Sequence, residues 1–304
     1  MKYLTKDRLL QLLLILQLLC LVGISPVKAQ QEAVDQLMQT ATDNGMEQSA
    51  LSELRTRADS RGMQAGQLID IIRPAASLAE QNLPADHLIQ KALEGLSKGV
   101  PDRQIVSVIN RIHSATEQAA QVVDPWMQNP GVQKMIERTD GPGSNQRVRN
   151  RMIEASSKAI SQDIPVESVS QMLSEMGSES ILSRATASDI ITAIGILPDI
   201  GAAEQPRTAR AFVIRALKGG FNSSELQKLP MAVNMAQKRS RLPAAGVLKG
   251  ASQQLQVGTP ASRILQNLFN GNMGGGPPGS VPGGMQENPG QDRGPGQSQG
   301  RGNN

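Results

Sequence analysis

The chain has 304 residues, a net charge of +4, one cysteine and only 2% aromatic residues. A single cysteine excludes a disulfide framework and a zinc site built from thiolates, so an apolar core must stabilise the protein. The scarcity of aromatic side chains argues against a site that stacks glycans or nucleobases.

The first 29 residues have the three parts of a secretory signal peptide. Residues 1–8 carry three cations and one acid, residues 9–24 form an apolar run, and Val27-Lys28-Ala29 has the small-residue spacing of a cleavage site. The run contains Gln11 and Gln17 and is shorter than the roughly 20 apolar residues of a membrane span. We therefore expect cleavage after Ala29, export to the periplasm or the extracellular space, and no stable membrane span afterwards.

Removal of residues 1–29 changes the composition. Cys20, the only cysteine, is lost, and the net charge of the remaining chain falls to +1. The electrostatic argument for a nucleic-acid partner then largely disappears, so none is expected. Two basic clusters remain, and both are interpreted as solvated helix ends: Arg147, Arg149 and Arg151, and Lys238, Arg239 and Arg241.

A short phrase recurs eight times. The copies begin at Gly45, Gly62, Asn82, Gly99, Asp163, Gly220, Arg241 and Gly258. The next residue is apolar in seven copies, proline follows it in five, and the residue six positions after the start is aliphatic in all eight. Gly, Asn and Asp tolerate the left-handed conformation that ends a helix, and proline is favoured in the first turn of the next one. Each copy therefore predicts a tight corner between two helices, with the apolar residue packed on the aliphatic one.

The spacing of the corners predicts the architecture. From Gly45 to Asn82 every second corner recurs after 37 residues, and Gly220 to Gly258 spans 38. This length lies between tetratricopeptide units of about 34 residues and HEAT units of about 40 to 47, and the aromatic positions of the tetratricopeptide pattern are absent. The sequence thus predicts an all-α protein in which short helical hairpins stack as a solenoid-like or irregular helical array.

Helices are expected in two regions. The first is a helical repeat region over residues 30–123, with helices at residues 31–43, 47–60, 64–80, 84–97 and 101–123. Asp124-Pro125 is expected to stop the array, and residues 124–146 form a loop or linker with room for one short helix. The second helical region covers residues 147–269, with a degraded corner near Thr186 and helices at residues 206–218, 223–238, 243–255 and 260–269.

Residues 270–304 have a different composition. They hold twelve glycines and five prolines and almost no aliphatic side chains, with Gln and Asn among the rest. Such a segment buries too little apolar surface to offset its ordering entropy. The sequence predicts a disordered tail.

No catalytic constellation is found. His87 and His113 are the only histidines, neither has a second histidine three or four residues away, and both are interpreted as structural. No G-x-S-x-G elbow and no phosphate loop occurs. We expect no catalytic residue, no cofactor and no metal site.

Two dipeptides and one sequon offer alternatives to this expectation. Glu167-Ser168 and Glu179-Ser180 match the glutamate-serine pair of lytic transglycosylases, but the loop and aromatic residues of that class are missing. Helix-cap or surface roles are favoured for both pairs. In Asn222-Ser223-Ser224, a glycosylation sequon, the first or second residue is interpreted as a helix N-cap.

The sequence therefore favours an exported, non-catalytic helical protein that binds another envelope or extracellular protein as a scaffold or adaptor. One alternative is a structural or stress component of the envelope that acts through its tail. A peptidoglycan-active enzyme is the less favoured alternative. The oligomeric state is open.

Overall fold

The structure is a computed structural model that describes residues 26–201 and 205–272. Most of the expected signal peptide and nearly all of the expected tail lie outside the described residues. Within the described part the protein is all-α, with fourteen α-helices, one short 3-10 helix at Pro198–Ile200 and no strand. The predicted fold class is confirmed.

The helices are numbered here in chain order. They are α1 Pro26–Asp43, α2 Gln48–Ser60, α3 Ala65–Glu80, α4 Asp86–Ser97, α5 Asp102–Met127, α6 Pro130–Asp140, α7 Asn145–Ser161, α8 Val166–Met176, α9 Glu179–Leu182, α10 Ala187–Gly195, α11 Pro206–Lys218, α12 Ser223–Ser240, α13 Ala244–Gln256 and α14 Ala261–Asn270. The expected cleavage site after Ala29 thus lies in the first turn of α1.

The helices pack in two layers. In the first layer each helix contacts the next in the order α1, α3, α5, α7, α10, α12 and α14. In the second layer α2 packs on α4, and α8, α11 and α13 follow one another. Within a layer, most helices contact the second helix after them in the chain, which is typical of stacked two-helix units. This pattern confirms the predicted stack of hairpins.

The corners form as the sequence predicts. All eight residues that begin the repeated phrase have a positive φ, between 55° and 89°. At Gly45, for example, the next N–H, that of Met46, donates to the Ala41 carbonyl at 3.1 Å. This bond spans five residues and marks a Schellman motif, which occurs at seven of the eight corners. The aliphatic residue six positions after the start is buried in every copy.

The corner at Arg241 is the exception. The Arg241 N–H donates to the Gln237 carbonyl at 2.9 Å, which is the single bond of the simpler left-handed cap. The apolar residue that follows, Leu242, is 38% exposed instead of filling the junction. The residue after the left-handed position therefore contributes little apolar packing at this corner.

The degraded corner near Thr186 uses a different cap. No residue between α9 and α10 has a positive φ; instead the guanidinium of Arg138 on α6 donates to the carbonyls of Leu182, Ser183 and Ala185 at 2.7–3.0 Å. A side chain from another helix thus satisfies carbonyls at the end of α9 and in the connection to α10. Thr186 and Asp189 form a capping box at the start of α10.

The expected stop at Asp124-Pro125 is wrong. Helix α5 continues through Pro125 to Met127, because a proline in the last turn removes only one hydrogen bond and Trp126, 7% exposed, anchors that turn. The long α5 packs on both α4 and α8. The short helix expected within residues 124–146 is α6, which packs on α7, α9 and α10.

The buried apolar residues form two clusters. One extends from Val34 to Ile109 and the other from Ala119 to Leu268, so the clusters meet partway along α5. Thr116, fully buried, lies at this seam. Among the described residues no helix has both the length and the apolar character to cross a bilayer.

Candidate functional site

Charge is segregated along the chain. Residues 205–272 hold ten Lys and Arg residues and one acid, Glu225, whereas residues 30–201 hold 15 cations and 22 acids. In the net charge of the whole mature chain, from which no nucleic-acid partner is expected, these two regions largely cancel. A count for each helical unit would have revealed the basic region, whose cations are Arg207, Arg210, Arg215, Lys218, Lys228, Lys238, Arg239, Arg241, Lys249 and Arg263.

Little of this positive charge is neutralised within the described residues. Nε of Arg210 lies 3.4 Å from Oε1 of Glu175 on α8. The other nine cations have no carboxylate oxygen within 4.0 Å in the described part of the chain. The one acid, Glu225, accepts the Asn222 N–H at 3.1 Å and so caps α12. Among the described residues, nine cations therefore have no carboxylate partner.

Four of them border a groove between α11 and α13 in the second layer. Arg207, Arg215 and Lys249 line an open cavity of about 500 Å³. Arg215 and Lys218 line a second cavity of about 200 Å³. Arg215 and Gln256 belong to both cavities, so the two form one groove, and all four cationic side chains are exposed.

The rest of the lining is small or neutral. It consists of Thr208, Ala211, Ala245, Ser252, Gln253, Gln256, Gly219 and Leu255. Hydroxyl and carboxamide groups can both donate and accept hydrogen bonds, and the alanines leave room for a main chain to approach. Neither an acid nor an aromatic side chain is among the described lining residues. The groove has the chemistry of an anion-binding surface that also offers polar contacts.

Helical periodicity builds this groove. On α11, residues 207, 208, 211 and 215 share one face, while Ala209, Phe212, Val213 and Ala216 on the other face are fully buried. On α13, Lys249, Gln253 and Gln256 share a face in the same way, while Val247, Leu248 and Ala251 are buried. The groove is therefore the solvent side of two neighbouring amphipathic helices.

His87 lies at the seam between the apolar clusters. The Thr116 hydroxyl donates to the Ile112 carbonyl at 2.8 Å and lies 2.8 Å from the Ser157 hydroxyl and 3.3 Å from Nε2 of His87. Burial lowers the pKa of His87 from 6.5 to about 4, so its ring is neutral near pH 7. These contacts tie α4, α5 and α7 together at the seam.

The second histidine lies on α5. Nδ1 of His113 is 3.7 Å from Oε2 of Glu117, and its Nε2 is buried without a hydrogen-bond partner in the described residues. No group of three or more His, Cys, Asp or Glu side chains in the described residues is arranged to hold a metal ion.

Glu167 and Glu179, the candidate general acids, lie at the starts of helices. Glu167 lies in the first turn of α8 and Glu179 in the first turn of α9, and both are exposed. A carboxylate in the first turn interacts favourably with the helix dipole. Asn222 is the N-cap of α12: its side chain accepts the Glu225 N–H at 3.0 Å, which confirms the N-cap interpretation.

The interpretation of the first basic cluster is wrong for Arg149. Its guanidinium donates to both carboxylate oxygens of Asp124, at 2.6 and 2.9 Å, and to the Asn82 carbonyl at 3.1 Å. The left-handed corner at Asn82 leaves this carbonyl within reach, so Arg149 links α7 to α5 and to the α3–α4 corner. Lys238, Arg239 and Arg241 are exposed at the end of α12, as predicted.

No protein-family model, curated protein or solved structure matches this chain.

Proposed function

We propose that the protein is an exported, non-catalytic helical scaffold that binds another protein of the envelope or the extracellular space through the groove between α11 and α13. The signal-peptide pattern supports export. Stacked helical units expose long surfaces, and by analogy such arrays commonly bind proteins. The observation that carries the proposal is the row of four exposed cations, none of them paired with a carboxylate in the described residues.

Electrostatics explains why such a groove favours association. Like charges along one groove repel one another, and an anionic partner removes this repulsion while it gains attraction to each cation. A surface of one sign also speeds the encounter with a partner of the opposite sign. Arginine adds geometric selection, because its planar guanidinium can pair with both oxygens of a carboxylate.

The proposal is tested by quantitative capture of partners from the native envelope with residues 30–304 as bait. The groove variant is R207Q/R215Q/K249Q. The matched control is K228Q/K238Q/R263Q, which removes the same charge from exposed positions on α12 and α14 that line neither cavity. We expect the same partner to be captured by the wild type and the control and to be lost from the groove variant. Equal loss from both variants, or loss from neither, would contradict the proposal.

Two further arms separate the alternatives. Deletion of residues 273–304 leaves the last helix cap intact, since the Asn272 N–H donates to the Asn267 carbonyl at 2.9 Å. We expect the truncated chain to keep its partner, and loss of the partner would favour an envelope component that acts through its tail. Release of muropeptides from purified cell wall would instead indicate an enzyme.

A further inference from the structure

We infer that the groove between α11 and α13 receives an extended acidic segment of the partner protein, about five or six residues long. This inference rests on the proposed function, since it specifies what the scaffold binds. Its basis is the arrangement of the four cations along the helices and the polar lining between them.

The length of the segment follows from α11. Arg207 and Lys218 are separated by eleven helical steps, which at about 1.5 Å per residue places their backbones roughly 16 Å apart along the helix axis. An extended chain advances about 3.3 Å per residue. About five residues therefore cover the distance between the first and the last cation of the helix.

The spacing of the cations suits a chain with several charges better than a single small anion. Arg207 and Arg215 are about 12 Å apart along α11, and Lys249 lies on the facing helix α13. Alternate side chains of an extended peptide point to the same side and recur about every 7 Å. Several carboxylates along one peptide can thus be distributed over the length of the row, whereas one phosphate ion can reach only one part of it.

The lining between the cations suits a peptide main chain. Ala211 and Ala245 are small enough for close approach, and Thr208, Gln253 and Gln256 carry groups that both donate and accept hydrogen bonds. An extended peptide has N–H and C=O groups along its whole length that need such partners once they leave water. The groove offers charge pairing and main-chain hydrogen bonds along the same line.

The lining of the groove does not favour a single-stranded nucleic acid. A single strand gains much of its binding energy from bases that stack on aromatic side chains, and no aromatic side chain lines the groove among the described residues. Phe212 on α11 and Phe221, which follows α11, are buried in the core.

The experiment measures fluorescence anisotropy with a labelled peptide that alternates glutamate and serine over six residues. The comparison probes are the same peptide with glutamine in place of glutamate, a single-stranded oligonucleotide of similar length, and inorganic phosphate as a competitor. Wild type, R207Q/R215Q/K249Q and K228Q/K238Q/R263Q are each titrated, and circular dichroism verifies that the variants keep their helix content.

We expect the acidic peptide to bind and the glutamine peptide not to bind, with binding that weakens as salt is raised. The groove variant should bind at least about tenfold more weakly than the wild type, since it loses three charge pairs, while the control variant stays within about twofold. Tighter binding of the oligonucleotide than of the peptide, full displacement by phosphate at equal concentration, or equal loss in both variants would overturn the inference.

The outcomes also separate this inference from the proposed function. If the groove variant loses its native partner in the capture experiment but the acidic peptide does not bind, the scaffold function stands and the acidic segment is rejected. If the peptide binds in the groove but the native partner is still captured by the groove variant, the proposed function of the groove fails.

Discussion

Nε2 of His87 on α4 lies 3.3 Å from the hydroxyl of Thr116 on α5, at the seam between the two apolar clusters. Thr116 in turn contacts Ser157 on α7 at 2.8 Å. Three helices from both sides of the seam are therefore joined by side-chain polar contacts where the apolar packing changes from one cluster to the other. Buried polar contacts of this kind are costly to break, because each group left without a partner keeps its desolvation penalty.

The first prediction concerns acid stability. Burial lowers the pKa of His87 from 6.5 to about 4, so protonation favours the unfolded chain. The stability from the neutral ring is fully present above pH 6.5 and is lost as the pH falls towards 4, by up to about 3 kcal/mol. His87→Gln keeps a polar side chain that can reach Thr116 but does not titrate. Urea unfolding at pH 7.5 and pH 4.5 should show a smaller loss of stability on acidification in this variant than in the wild type.

The loss of stability on acidification is compared between His87→Gln and the wild type because Glu154 contributes a pH dependence of the opposite sign. The pKa of Glu154 on α7 is raised, mainly by desolvation and further by the carboxylate of Asp86, while Arg151 opposes the shift. Protonation of Glu154 therefore favours the folded state as the pH falls. Identical pH dependence of unfolding in the wild type and in His87→Gln would contradict the role assigned to His87.

The second prediction concerns the hydroxyl of Thr116. Thr116→Val keeps the shape of the side chain but removes the partner of Ser157 and His87, and it should lower the free energy of unfolding by about 1–3 kcal/mol. In Thr116→Val/Ser157→Ala the Ser157 hydroxyl, which in the single variant keeps only the Ile112 carbonyl at 3.4 Å, is also removed. We expect the double variant to be more stable than the sum of the two single losses predicts, by about 1 kcal/mol. Strict additivity in denaturant unfolding would show that the two hydroxyls do not interact.

The corners could be predicted from the sequence because each depends only on nearby residues. A left-handed residue, the apolar residue after it and the aliphatic residue six positions after the start lie within seven residues of one another, so one short phrase contains the whole motif. The contacts of Arg149 are different. Its partner carbonyl belongs to Asn82, 67 residues away, and only the packing of α7 beside the α3–α4 corner brings the two together.

One part of the groove depends on residues that are close in the sequence, and the other part depends on helices that are distant in it. Arg207 and Arg215 share a face of α11 by simple helical spacing, and the excess of cations in residues 205–272 can be counted in the sequence. That α11 lies beside α13, with Lys249 facing the same groove, follows from layer packing that skips α12. The basic region was predictable, but the groove required the structure.

The third prediction uses one substitution at two positions. Gly99 is a corner residue with φ of +70°, whereas Gly66 lies within helix α3, and an added Cβ would meet nothing within 4 Å at either site. Gly99→Ala should cost about 1–2 kcal/mol, because the left-handed conformation is strained for any residue with a Cβ. Gly66→Ala should add up to about 1 kcal/mol, because alanine favours the helix. Thermal unfolding of the two variants should therefore shift in opposite directions, and a shift in the same direction would contradict the role of the corner.

The fourth prediction compares two corners. Ile164 follows the left-handed Asp163 and is 2% exposed, and its N–H donates to the Ala159 carbonyl at 3.2 Å. Leu242 holds the same place in the phrase but is 38% exposed and lacks the corresponding bond. Ile164→Ala should lower the free energy of unfolding by about 2–5 kcal/mol, since it opens a cavity at a filled junction.

Leu242→Ala should change the free energy of unfolding by no more than about 0.5 kcal/mol, because its side chain already faces water. Denaturant unfolding of the two variants measures the difference directly, and Arg241→Gly serves as a control that relieves the strain of the left-handed residue while it leaves Leu242 in place. A loss at Leu242 as large as that at Ile164 would show that the Arg241 corner is filled in solution. The expected contrast would show that a corner contributes more to stability where its apolar residue is buried, as at Ile164, than where that residue is exposed, as at Leu242.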